Sequence, residues 1–226
     1  MKTIEPRPLY IVRLNPADLL TLSGLLTSGL AILSALHGFY PLATAWLFLG
    51  MLGDALDGRL ARRLKLERPF GRYLDGFMDM QIYLVAPALI LYLQGFDGFW
   101  LLFLLLMMGC GCTRLAVFND IGNIREGNEL AYLGMPVFWN LFLLGAYQWL
   151  APWLPMLLLH GLLALALVGL SHAMLWHRPF FKFKRLSHIL GLCLGGFVLL
   201  TLLQWLVGVP HELFGVPHEF LGVPHA

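Results

Sequence analysis

Seven stretches of near-membrane-spanning length follow one another from Asp18 to Val207, most with apolar centres. A spanning helix needs about 20 mainly apolar residues. The stretches run over 18–37, 41–64, 71–94, 98–118, 134–150, 152–176 and 186–207. The fifth and sixth form one long apolar run, divided at Pro152 and Pro155 because proline breaks a helix interior. Hydrophobic residues make up 59% of the chain and charged residues 12%. That mixture excludes both a water-soluble globule and a disordered chain. The prediction is an all-α integral membrane protein, a bundle of about seven transmembrane helices.

The basic residues fix an orientation. Lys2, Arg7 and Arg13 precede the first stretch, and Arg59, Arg62, Arg63, Lys65, Arg68 and Arg72 surround the second-to-third connection. Arg114 and Arg125 follow the apolar part of the fourth, and Arg178, Lys182, Lys184 and Arg185 lie between the sixth and seventh. All 15 lysines and arginines then fall on one side, and the positive-inside rule makes that side, with the N-terminus, cytoplasmic. The expected location is the cell membrane, multi-pass. The first residues lack a short apolar region with a cleavage site, so the first helix is expected to serve for insertion. A net charge of +2 gives no footprint for nucleic acid.

Cys110, Cys112 and Cys193 lie in apolar runs without a CxxC spacing and read as packing residues. The chain divides into a membrane domain, 1–207, and a tail, 208–226, that repeats GVPHELF, GVPHEFL and GVPHA. Gly and Pro at that period predict a turn-rich, non-cytoplasmic tail rather than a histidine metal site.

Four carboxylates stand out, because acidic groups near lipid are costly and point to function. Asp54 and Asp57 are three residues apart, and Asp75 and Asp79 four apart, so each pair shares a helix face. The two helices are joined by a short connection and should lie antiparallel, bringing the pairs together. At 1.5 Å per residue, Asp54 lies about 20 Å beyond Pro41, and Asp79 about 12 Å beyond Gly71 from the opposite direction. In an apolar core of about 30 Å, both depths fall towards the cytoplasmic boundary. Carboxylates so close must take protons or bind a cation, and hard oxygen ligands suit Mg2+, Mn2+ or Ca2+. Gly58 and Ala61 remove bulk beside the first pair, Arg62 offers a fork for phosphate, and Gly71 opens the next helix.

The run Asp54-Ala-Leu-Asp57-Gly58-Arg-Leu-Ala61-Arg62, followed after eight residues by Gly71, then Asp75 and Asp79 at steps of four, resembles the CDP-alcohol phosphatidyltransferase signature. The resemblance implies a six-helix core, here with an added C-terminal helix, and a frequently dimeric enzyme. Such enzymes transfer a phosphatidyl-type group from a CDP-linked donor to an alcohol and release CMP. It implies Mg2+ or Mn2+ held by Asp54, Asp57, Asp75 and Asp79, with Asp79 also the catalytic base. Gly58, Ala61, Arg62 and Gly71 would shape the CDP site.

Four further segments are similar to the smaller, integral membrane phosphatidylserine synthases: Val85-Ala86-Pro87-Ala88, Thr113 to Asn119, Leu133 to Pro136, and Ser171 to Lys184. They imply CDP-diacylglycerol as donor, serine as acceptor and a homodimer, with Arg114 binding the acceptor carboxylate. Two departures stand beside them. Ile82-Tyr83-Leu84 replaces the usual Ser-Phe-Gly, and Val117 replaces a second arginine. Inositol phosphate, glycerol 3-phosphate and choline therefore stay open as acceptors. Arg114 has a plainer reading, snorkelling to the interface or pairing with Asp120. Asp18 and Thr21 stand where the family has an early Asn-x-x-Thr. From another class, an acidic membrane cluster can serve a cation or proton transporter. The off-centre cluster and the lack of a repeated half speak against it.

Overall fold

The computed structural model describes residues 11–126, 129–181 and 186–208. Among these, seven helices follow in order: α1 (Pro16–Leu36), α2 (Tyr40–Leu64), α3 (Pro69–Leu93), α4 (Gly98–Ile121), α5 (Trp139–Leu150), α6 (Met156–Leu175) and α7 (Leu186–Val207). Five of them, α1, α3, α4, α6 and α7, are long and apolar enough to cross a membrane. The protein is an all-α, multi-pass membrane bundle. Helix α2 has the length, but Asp54, Asp57, Arg59, Arg62 and Arg63 crowd its last turns. Its first half is buried among α1, α5 and α7, so it forms the centre of the bundle rather than a lipid face. The repeat tail from residue 209 onward lies outside the described residues.

Local chemistry explains how α1 to α3 meet. Asn15 and Asp18 form a reciprocal cap at the start of α1: each side chain accepts a hydrogen bond from the other's backbone N–H, at 2.8 and 3.0 Å. The buried face of α1 carries Ala17, Thr21, Gly24, Ser28, Ala31 and Ala35 at helical spacing. Small side chains on that stripe let α1 lie along α2 at close range. Lys65, in the left-handed conformation, ends α2, and Pro69 starts α3 after only four residues. That short turn sends α3 back beside the acidic end of α2.

Helix α3 widens to π geometry over Gln81–Val85. The cause is Pro87, which has no N–H to give to the carbonyl four residues earlier, that of Tyr83. The Tyr83 carbonyl is instead satisfied from α5, where the buried Asn140 donates through Nδ2 at 3.0 Å. The flanking bulk is seated on glycines. Ile82 fills the space beside Gly24 and Gly50, and Leu84 the space beside Gly111.

The fifth helix is shorter than expected: 134–138 is not helical, and α5 begins at Trp139. Gly134, at φ +72°, turns the chain there, and Pro136 resists helix extension. Three short antiparallel strands, which the sequence reading did not anticipate, form a sheet beside the turn. They are β1 (Ile124–Glu126), β2 (Glu129–Leu133) and β3 (Pro179–Phe181), with Ala131 opposite Phe181. Gly134 follows β2, and a Cβ there would collide with the backbone carbonyl of Met174. Gly134→Ala is therefore expected to destabilise the protein. The backbone conformation alone costs about 1–2 kcal/mol, and the Met174 carbonyl cannot swing away as a side chain would. A lowered Tm of the purified protein in detergent checks this.

The two ends of the bundle differ. At one, Tyr40, Thr44, Gln94 and Gln148 form a hydrogen-bond network, and His160 packs among Phe96, Trp100 and Tyr147. At the other meet the start of α1, the end of α2, the start of α3, the end of α4 and the start of α7, together with the sheet. Alternating helix direction thus gathers Arg59, Arg62, Arg68, Arg72 and Arg114 at a single end, around two cavities.

Candidate active site

The two helices with carboxylates meet as their spacing requires. One carboxylate oxygen each from Asp54, Asp57 and Asp75 lies within 4.8 Å of the others. Asp57 is buried, and Asp54 and Asp75 are half-buried. Asp79 is also buried and lines the same cavity, next to this group of three. Only a proton or a cation between such groups relieves their repulsion. Oxygens gathered this closely can converge on one ion by side-chain adjustment. The all-oxygen donor set, with no sulfur or nitrogen, fits a hard divalent cation.

Second partners hold the cluster. The Thr21 hydroxyl donates to Asp57 Oδ2 at 2.5 Å, across the α1–α2 contact. The Tyr83 hydroxyl donates to Asp54 Oδ2 at 2.6 Å, from one turn beyond Asp79 on α3. Asp18 pairs with Arg68, which anchors the start of α3 to the start of α1. The early Asp18 and Thr21 therefore both touch the site's framework. Tyr83 was visible in the sequence only as a departure from the usual segment. Its position four residues after Asp79 is the signal that marks it. Nothing local could have linked Thr21 to a residue 36 positions away.

Two cavities share these carboxylates. The larger, about 570 Å3, opens between Asp18, Thr21, Ala61, Arg68, Gly71 and Arg72. The smaller, about 210 Å3, is bounded by Asp54, Asp79, Tyr83, Arg114, Tyr132 and Phe138. Asp57, Gly58, Arg62 and Asp75 line both. All four residues expected to shape a CDP site, Gly58, Ala61, Arg62 and Gly71, thus face the larger cavity. Arg114 and Asp79 face the smaller one. The sequence reading missed Gly76, against whose backbone the Asn119 side chain packs so tightly that a Cβ would displace it. That contact brings the end of α4 against α3 between Asp75 and Asp79.

Arg114 is 5% exposed and does not reach outward as a snorkelling arginine would. Asp120, its alternative partner, lines the other cavity. The guanidinium instead lies over two rings, with Cζ 4.9 Å from the centroid of Phe118 and 5.5 Å from that of Tyr132. Its Nε and Nη2 are buried and find no hydrogen-bond partner among the described residues. An arginine buried with unmet donors is costly unless a ligand meets them. On β2, burial foremost and then the Asp54 carboxylate push the Tyr132 phenol up to about 12. It stays a neutral donor at any ordinary pH.

Comparison with known proteins agrees with this arrangement. The chain is 33% identical over 124 residues to CDP-diacylglycerol–serine O-phosphatidyltransferase of Bacillus subtilis, covering 53% of this chain and 67% of that one. It is 31% identical over 142 residues to phosphatidylcholine synthase of Brucella melitensis, covering 59% of this chain and 50% of that one. Archaetidylserine synthase of Methanothermobacter thermautotrophicus is 30% identical over 124 residues, covering 53% and 52% of the two chains. The chain spans about half the length of most of these curated relatives. One family profile, CDP-alcohol phosphatidyltransferase, matches residues 14–209, which takes in α1 to α7 and both carboxylate pairs. With the aspartates converging at the spacing of that signature, the chain belongs to the CDP-alcohol phosphatidyltransferase family.

Proposed function

We propose that the protein transfers the phosphatidyl group of CDP-diacylglycerol to L-serine, giving phosphatidylserine and CMP, with Mg2+ or Mn2+ bound by the aspartate cluster. The observation that carries the choice of serine is Arg114. It is a buried cation with unmet donors, in the same small cavity as Asp79. A guanidinium fork suits a carboxylate. Choline would instead bring a quaternary ammonium, which is recognised by open aromatic faces. Here the faces of Phe118 and Tyr132 are already covered by Arg114, whose charge would repel that headgroup. The relatives named for serine therefore supply the better analogy than those named for choline.

The division of labour follows the two cavities. The larger takes the cytidine diphosphate, with Arg62 beside the phosphates and Gly71 leaving room at the start of α3. The smaller takes serine, its carboxylate on Arg114 and its hydroxyl towards Asp79. The serine oxygen forms a bond to the phosphatidyl phosphorus as the bond from that phosphorus to the CMP oxygen breaks. Asp79 takes the hydroxyl proton, and CMP leaves with the bonding electron pair. A bound divalent ion supplies charge neutralisation of the pyrophosphate and of the departing CMP. The basic end of the bundle faces the cytoplasm in this reading, which gives water-soluble serine access while the donor's acyl chains stay in the bilayer. The working unit is taken to be a homodimer in the cell membrane.

The test is CMP release by purified protein in detergent with CDP-diacylglycerol. Serine, choline, inositol phosphate and glycerol 3-phosphate are supplied separately. Serine-dependent release is expected, lost on chelation with EDTA and restored by Mn2+ or Mg2+. Release with choline alone would keep the chemistry and overturn the acceptor. Folded protein that releases no CMP with any of them would overturn the whole assignment.

A further inference from the structure

Among the described residues, Tyr83 is the largest side chain that is almost wholly buried, at 1% exposure. Its ring belongs to the apolar core, where a phenylalanine would fill the same space. The hydroxyl is its one polar side-chain group, and it is spent on Asp54 Oδ2 at 2.6 Å. The backbone beneath it is fixed as well. Pro87 leaves the Tyr83 carbonyl without its helical donor, and Asn140 fills that role from α5 at 3.0 Å. The ring thus rises from a π-widened turn pinned to a second helix, and its hydroxyl meets a carboxylate that belongs to the three-oxygen group.

We infer that Tyr83 is a positioning residue for the cation site: its hydroxyl, aimed by the π turn and Asn140, sets which way the Asp54 carboxylate faces Asp57 and Asp75. The inference rests on the reading of the aspartates as a divalent-cation site. A free carboxylate among three others would rotate away from its neighbours to reduce repulsion. A donor on one oxygen opposes that rotation and leaves the other oxygen for the ion. Hydrogen bonds of this kind to metal ligands commonly govern affinity about 10- to 100-fold.

Tyr83→Phe tests this with the purified full chain in detergent, titrated with Mn2+ and followed by electron paramagnetic resonance. The expected result is Mn2+ binding weakened by about tenfold. The Mn2+ concentration for half-maximal CMP release should rise in parallel, with kcat at saturating Mn2+ largely retained. The metal-free Tm serves as the check on folding, and loss of the hydroxyl alone should move it little. Unchanged Mn2+ affinity in folded Tyr83→Phe, beside clear binding by the unsubstituted protein, would overturn the role of Tyr83 alone. A lower kcat at saturating Mn2+ with unchanged affinity would overturn it too, since it would assign the hydroxyl to the reaction. If the unsubstituted protein binds no Mn2+, the cation site itself is overturned, and this inference falls with it.

Discussion

Asp79→Asn is expected to lower serine-dependent CMP release by about 10^2- to 10^4-fold, the usual worth of a positioned general base. Asparagine keeps the shape of the side chain but cannot accept the proton. The variant should still fold. It removes one of four crowded carboxylates, so its metal-free Tm should hold or rise. Mn2+ binding gives the sharper result. Asp54, Asp57 and Asp75 offer oxygens within 4.8 Å of one another, and Asp79 stands beside that group. Asp79→Asn is therefore expected to retain Mn2+ while losing turnover. Asp57→Asn, which removes a carboxylate from the group itself, should lose both. Equal loss of Mn2+ in the two variants would make Asp79 a ligand first, and the proton would need another acceptor. Unchanged turnover in Asp79→Asn would remove it from the chemistry altogether.

The helices and the acidic pairs were legible because each depends on local pattern. Apolar length marks a span, and a step of three or four marks a shared face. The short link from Lys65 to Arg68 then left little choice about where the two pairs would meet. What escaped depends on partners far along the chain. The span over 71–94 runs through Pro87 as expected, but nothing nearby shows the π turn before it or Asn140, 57 residues from Tyr83, which supplies the missing hydrogen bond. Strands of three to five residues are too short for a period-2 pattern to show, and β2 pairs with β3 across the whole of α5 and α6. The expected fifth span began too early for a related reason. Its first residues are apolar, but Gly134 and Pro136 give them to the turn after β2. The departure at Ile82-Tyr83-Leu84 becomes intelligible only in three dimensions. Two of its side chains occupy space left by glycines on neighbouring helices, and the third reaches Asp54.

Arg114 carries the other large effect, because it separates acceptor recognition from chemistry. Arg114→Met keeps an unbranched apolar side chain against Phe118 and Tyr132 while removing the charge and every donor. Losing one partner of a buried, hydrogen-bonded charge pair costs about 2–5 kcal/mol. That range predicts a KM for serine raised by about 30-fold or more. The KM for CDP-diacylglycerol should change far less, since the residues facing the larger cavity are untouched. Arg114→Lys should recover only part of the loss, because an ammonium is a point charge without the planar fork. Ethanolamine sharpens the test, being serine without its carboxylate. The unsubstituted protein should strongly prefer serine, whose anion neutralises Arg114. In Arg114→Met that preference should shrink, through lost serine binding and through removal of a cation that repels the amine. A serine KM that stays put in folded Arg114→Met would detach Arg114 from the acceptor. The carboxylate would then need a different cation around the small cavity, and Arg59 and Arg62 are the others that line it.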